Sequence, residues 1–279
     1  MTICIASICD GGKKCVIAAD REMTAQALSL EFEHRESKID VLSKKCVAMS
    51  SGDALLASEI ISRTRSKIPN NQDPSIVSIA ESLRDAYMAI HIERAEAVIL
   101  RPRGFTLQEF KERGALQLSP QVYQEITNQL FNFGIGIVEF LVTGVDESGA
   151  HIFRIHYNGL VGGSWLEWCD KLGHREIGSG ASHASILLAL EGQFSGFTVS
   201  ETIYNVYSAK KSAELAPGVG PSTDLATISE DGVLFADKDM MESLSNLWQD
   251  TQKTKVDVTE ISELYQQSLA SSVSPLDDI

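Results

Sequence analysis

Apolar residues come in two spacings along this chain. The first is a set of short, near-continuous runs: Ile3-Cys4-Ile5-Ala6-Ser7-Ile8, the turn Asp10-Gly11-Gly12, then Cys15-Val16-Ile17-Ala18-Ala19 ending on Asp20-Arg21. Runs of this length between turn residues predict a hairpin. After a polar segment, Met23 to Ser37, a second pair is predicted from Lys38 to Leu42 and from Cys46 to Ser50, around Ser43-Lys44-Lys45. At Gly52-Asp53 the spacing changes. Leu55, Leu56, Ile60 and Ile61 recur at helical intervals up to Pro69-Asn70-Asn71, and a second helix after Asp73-Pro74 carries Ile76, Ile79, Ala80, Leu83, Tyr87 and Ile90 on one face. Further strands are predicted at 135–144 and 151–155, helices through 186–190 and from Val199 to about Glu214, and a last hairpin at 224–236.

The order is strands, two helices, strands, two helices, strands. Because the hairpin strands are apolar on both faces, each sheet needs cover on both sides, which a second sheet and helices supply. The expectation is an α+β, four-layer αββα sandwich over residues 1–238. The segment at about 92–127 breaks the pattern and reads as an insertion, with a loop at Arg101-Pro102-Arg103-Gly104 and a helix start at Ser119-Pro120; its basic island, Arg101, Arg103, Lys111 and Arg113, reads as a solvated loop or helix face, with a lid or intersubunit contact as the alternative. Residues 239–279 read as a C-terminal helical extension, with Met240, Met241, Leu244, Leu247 and Trp248 in a first helix, a second helix at about 258–269, and a flexible tail.

A net charge of −14 opposes a phosphate-binding surface, so nucleic acid is not expected as a partner. No run approaches the roughly 20 apolar residues of a membrane span, and no basic segment precedes an apolar one at the start. A cytoplasmic protein without membrane contact is expected. The five cysteines, Cys4, Cys9, Cys15, Cys46 and Cys169, lie mostly in apolar runs without C-x-x-C spacing and read as reduced core residues. The histidines lack metal-ligand spacing, the phosphate loop is absent, and Gly134-Ile135-Gly136 lacks a third glycine, so neither metal nor cofactor is expected.

Candidate chemistry starts at Thr2. Its small side chain suits removal of Met1, which would leave a threonine whose α-amine, of pKa about 7.7–8.0, is partly neutral near pH 7. Such an amine can take the proton from its own hydroxyl, so that nucleophile and base belong to one residue.

Thr2, Ala18-Ala19-Asp20-Arg21 with Thr24, Lys38-Ile39, Gly52-Asp53-Ala54, Thr143-Gly144-Val145-Asp146, Ile177-Gly178-Ser179-Gly180-Ala181-Ser182 and Asp224-Leu225-Ala226-Thr227-Ile228 occur in one order. The series resembles proteasome β-type subunits of the amino-terminal-nucleophile (Ntn) hydrolases, bacterial proteasome-like proteins included. The resemblance implies the sandwich fold, ring or helical homo-oligomers, a possible unfoldase partner, and cleavage of peptide bonds in peptide or unfolded-protein substrates. It assigns Thr2 as nucleophile, Asp20 as buried carboxylate, Lys38 as the cation beside the nucleophile and Ser179 as the hydroxyl near the amine. By the same alignment Glu214 stands for an aspartate near the site and Met49 for the glycine that gives the oxyanion its N–H, while Thr24 and Ser51 flank the substrate backbone. The chain departs from the family pattern at Glu22, Met49 and Pro217. Two alternatives stand beside a threonine protease: a catalytically silent ring or assembly subunit, and a small-amide hydrolase of the same superfamily.

Overall fold

A computed structural model of the chain describes residues 2–25, 30–33, 37–69, 74–158 and 163–253, and the elements below lie within them. The opening run is strand β1 (Cys4–Cys9), returned into β2 (Lys14–Asp20) with Cys4 opposite Ala19. Three left-handed residues make the turn: Asp10 (φ 51°), Gly11 (φ 65°) and Gly12 (φ 86°). Glycine reaches that region without strain, and aspartate tolerates it.

The polar stretch after Asp20 contains a two-stranded ribbon, β3 (Glu22–Ala25) and β4 (Leu30–Glu33), where sequence spacing gave no strand. β5 (Ile39–Ser43) and β6 (Cys46–Gly52) form the second hairpin. Asp53 then caps α1 (Ala54–Arg65) by accepting the N–H groups of Leu55 and Leu56, and Ser75 caps α2 (Ile76–Ala95).

Beyond α2 the inserted segment continues as short helical turns, one of them at the expected loop Arg101-Pro102-Arg103-Gly104, and leads into a helix that starts at Ser119-Pro120 as expected. A π turn at Glu96–Leu100 and a 3-10 turn at Arg101–Arg103 lead to α3 (Leu107–Glu109), a second π turn at Phe110–Gly114, α4 (Ala115–Gln117) and α5 (Pro120–Phe131). They close around a separate small core of Ile99, Leu100, Phe105, Phe110 and Ile126. Two of the basic residues pair locally, Arg101 with Glu96 and Arg113 with Glu109.

The rest of the sandwich is β7 (Val138–Asp146), β8 (Gly149–Asn158), β9 (Gly163–Trp168), β10 (His174–Ile177), α6 (Ala181–Leu190), α7 (Val199–Ala213), β11 (Thr223–Ser229) and β12 (Gly232–Phe235). Strand order is β10-β1-β2-β11-β12 in one sheet and β5-β6-β7-β8-β9 in the other. Every neighbouring pair is antiparallel. Between the sheets lies a core that includes Ala6, Ile17, Val47, Met49, Leu141 and Ile152. The far face of the second sheet, with Phe140, Val142 and Phe153, buries Leu56, Ile60, Leu83 and Tyr87 of α1 and α2, while α6 and α7 cover the first sheet. The result is a four-layer αββα sandwich.

The chain divides into two compact units, Met1–Ala236 and Asp237–Ile279. In the second, the described element is α8 (Lys238–Lys253). The helix expected at about 258–269 and the tail fall outside the described residues. Within the first unit, Phe153 is fully buried and meets Trp168 edge to face at 4.8 Å. Phe153→Ala is expected to cost about 3–5 kcal/mol of stability, read from urea unfolding.

All five cysteines are buried and outside disulfides. Loss of hydration on burial raises the Cys9 thiol to about 11 and those of Cys4 and Cys15 to about 12, from an ordinary 9.0. The Tyr87 phenol rises likewise from 10.0 to about 12. These groups ionise earlier in the unfolded chain, which then binds fewer protons than the native state. Stability is therefore retained below about pH 9 and falls as pH climbs toward 12, by about 1.4 kcal/mol per pH unit for each thiol. Urea midpoints that stay level between pH 9 and 11 would contradict this.

Candidate active site

Because β1 and β2 are antiparallel, Ile3, just ahead of β1, lies opposite Asp20 at the end of β2 and gives its carbonyl to Asp20 N–H at 3.2 Å, which leaves Thr2 next to the Asp20 carboxylate. Thr2 thereby meets Asp20, and both are buried, at 2% and 0% exposure. Five donors converge on that carboxylate. Oδ1 accepts from the Thr2 hydroxyl, from Ile3 N–H at 3.0 Å and from Lys38 Nζ at 2.7 Å, while Oδ2 accepts from Glu22 N–H at 3.2 Å and Gly220 N–H at 3.1 Å. Lys38, one residue before β5, also donates to Thr2 Oγ1. One hydroxyl is thus held between a carboxylate and an ammonium.

The other side of Thr2 is held by the turn between β10 and α6. Ser179 Oγ accepts from Thr2 N–H at 3.2 Å, and Gly180 N–H donates to Thr2 O at 3.3 Å. Ser179 Oγ also lies 3.2 Å from Pro217 O, so the proline that lacks a hydroxyl still offers a carbonyl here. Gly178 lets the turn come this close, because at φ 100° a Cβ would sit 2.2 Å from Thr2 O. Gly178→Ala is expected to displace Thr2 and lower the melting temperature by several degrees, on the order of 2 kcal/mol for a strained backbone position.

Met49 and Glu214 are not brought to this group. Lys45 O accepts from Val145 N–H at 3.1 Å and Asp53 N–H donates to Ile137 O at 3.0 Å, which turns the odd residues of β6 toward β7. Met49 therefore gives its N–H to the sheet ladder opposite Leu141, and its side chain is fully buried between the sheets. It has no donor left for an oxyanion. Glu214 lies 2.6 Å from Lys210 Nζ and 2.7 Å from Lys211 Nζ instead. Ser51 also faces β7, opposite Glu139. Thr24 is in β3, opposite Glu31, and its side chain is outside the described residues.

Sequence reasoning missed the donors that the backbone supplies. β5 starts at Ile39, opposite Met49, so β6 continues to Gly52 with β7 on one side and the vacated edge on the other. Strand alternation turns the backbone of Ser50 and Gly52 away from β7; Ser50 N–H closes the ladder onto Lys38 O, as the Ile39–Met49 pairing requires, which leaves Gly52 N–H at that edge, and Cys4 Sγ approaches Ser50 O at 3.5 Å. Gly220 was also missed. Its signal is the run Pro217-Gly218-Val219-Gly220-Pro221, in which a Cβ on Gly220 would meet Glu22 Oε2 at 2.5 Å.

Cys4 is close to the group but chemically quiet, since burial holds its thiol near 12 despite the neighbouring Lys38. Iodoacetamide at about pH 7.5 should leave it unmodified in the folded protein, because thiolate is the reacting form; rapid alkylation of Cys4 would contradict its burial. At the β7–β8 turn a second set has hydrolase-like contacts, with Ser148 Oγ 2.7 Å from His151 Nε2 and His151 Nδ1 2.7 Å from Asp170 Oδ2. There the single Ser148 proton goes to Asp146 Oδ1 at 2.6 Å, not to the imidazole.

No protein-family model matches the sequence, and no curated protein matches it. The two packed antiparallel sheets flanked by helices are consistent with an Ntn-hydrolase-like fold in general.

Proposed function

We propose that the chain is a threonine-type hydrolase of the proteasome β class, cleaving peptide or amide bonds through Thr2 once Met1 is removed. The convergence of Lys38 and Asp20 on Thr2 Oγ1 carries this reading. In the intact chain the Thr2 nitrogen is an amide with no basic lone pair. Removal of Met1 turns it into an amine that accepts the hydroxyl proton while Oγ1 attacks the carbonyl, and the amine then protonates the leaving group. Lys38 stabilises negative charge on Oγ1, and Asp20 keeps that ammonium in place. Ser179 orients the amine. The oxyanion donor in this proposal is the N–H of Gly52 at the vacated edge of β6, in place of Met49. Substrate backbone pairs with the same edge, beside Ser51, and with the β3 segment at Thr24.

Exposed apolar side chains on α6, Ile186 and Leu190, support assembly with further copies of the chain. No described helix is long and apolar enough to cross a membrane. The test is a threonine-reactive electrophile such as an epoxyketone, followed by peptide mapping. An adduct on Thr2 supports the proposal, and its absence from processed protein refutes it.

A further inference from the structure

Lys210 is fully buried near the end of α7, an unusual place for an ammonium. Its three protons are all used: Nζ lies 2.6 Å from Glu214 Oε1, 2.8 Å from Gly220 O and 2.9 Å from Pro221 O. Burial pulls the ammonium below the ordinary lysine value, with Glu214 opposing the shift. A charge held at such a cost needs a local return.

That return is at Gly220. The residue is gripped at both ends, its carbonyl by Lys210 and its N–H by Asp20 Oδ2 at 3.1 Å. Pro217 and Pro221 stiffen the loop around it, and any side chain on Gly220 would strike Glu22. Asp20 in turn bonds to Lys38 and to the Thr2 hydroxyl. We infer that Lys210 is a positioning residue: through the 214–221 loop it presses Gly220 N–H onto Asp20, and so fixes the carboxylate that orients Lys38 and Thr2. The inference rests on the Thr2 reading for its catalytic part. Glu214, assigned by alignment to the reacting group, acts one step further out as the partner that keeps Lys210 charged.

Lys210→Met in the full-length, processed protein tests this in two ways. Hydrogen exchange at the Gly220 amide should accelerate by about 10-fold or more while the β2 amides from Val16 to Ala18 keep their protection. The acylation rate at saturating epoxyketone should fall by about 10- to 100-fold with the half-saturating concentration changed less than about 2-fold, since misplacement of a reacting group acts on the chemical step. Should Lys210→Met fail to fold, Glu214→Gln replaces it: the amide oxygen and the carbonyls of Gly220 and Pro221 can still accept from Lys210 but the counter-charge is gone, and about 3-fold changes in the same directions are expected. Wild-type exchange at Gly220 in the folded variant overturns the inference, as does a loss expressed wholly in half-saturation. If the parent protein takes no electrophile, the Thr2 reading has failed, and the exchange experiment still decides whether Lys210 holds the loop.

Discussion

Thr2→Ala is expected to reduce acylation by an active-site electrophile about 10⁴-fold or more, the scale on which loss of a nucleophile acts in hydrolases. The substitution removes Oγ1, the atom that both Asp20 and Lys38 address, and leaves the amine without its intramolecular partner. Thr2→Ser keeps the oxygen. It is expected to retain most of the acylation rate, with a modest loss because the missing methyl group fixed the rotamer. Global stability should change little in Thr2→Ser and more in Thr2→Ala, where the buried Asp20 and Lys38 lose a shared hydrogen-bond partner. Labelling of Thr2→Ala at the parental rate would place the reactive residue elsewhere.

The second large effect concerns the ion pair. Asp20 is fully buried and the Lys38 side chain is 12% exposed, so removal of either partner strands a charge in a poorly hydrated site. Lys38→Met is expected to cost about 3–5 kcal/mol of stability and at least about 10²-fold in acylation rate. The two losses have different origins, and a double variant separates them. In Lys38→Met combined with Asp20→Asn the pair is neutral; the introduced amide accepts through its one carbonyl, while its NH2 meets the donors on the other side of the group. Stability should then recover in part, because the stranded carboxylate is gone, whereas acylation should stay as low as in the single variant. Recovery of activity together with stability would make Lys38 a structural residue.

Much of this was legible in the chain. Strands with two apolar faces required a covered sheet, and the change of spacing at Gly52-Asp53 located α1. The insertion was opaque as far as Leu118 because its short turns and two π turns never sustain one period long enough to read, whereas Ser119-Pro120 marked the start of α5. β9 and β10 were missed for a different reason: Ser164, Glu167, His174 and Arg175 put polar atoms where a strand pattern expects apolar ones, and charged side chains among them find partners distant in sequence, Glu167 with Arg154 and Arg175 being one such set. At the site, Thr2 was readable from its position next to Met1, whereas Asp20, Lys38 and Ser179 were assigned through the family resemblance, and backbone roles were not readable at all. Which N–H groups face a vacated strand edge depends on register, and register emerges only when β5 is seen to start opposite Met49.

Intact and peptide-level mass spectrometry of the purified wild-type protein, before and after treatment with an epoxyketone, tests the threonine mechanism most directly. The expected result is a chain that begins at Thr2 and carries one adduct on that residue. A chain that keeps Met1 and takes no adduct, or a processed chain modified at any other residue, would contradict it.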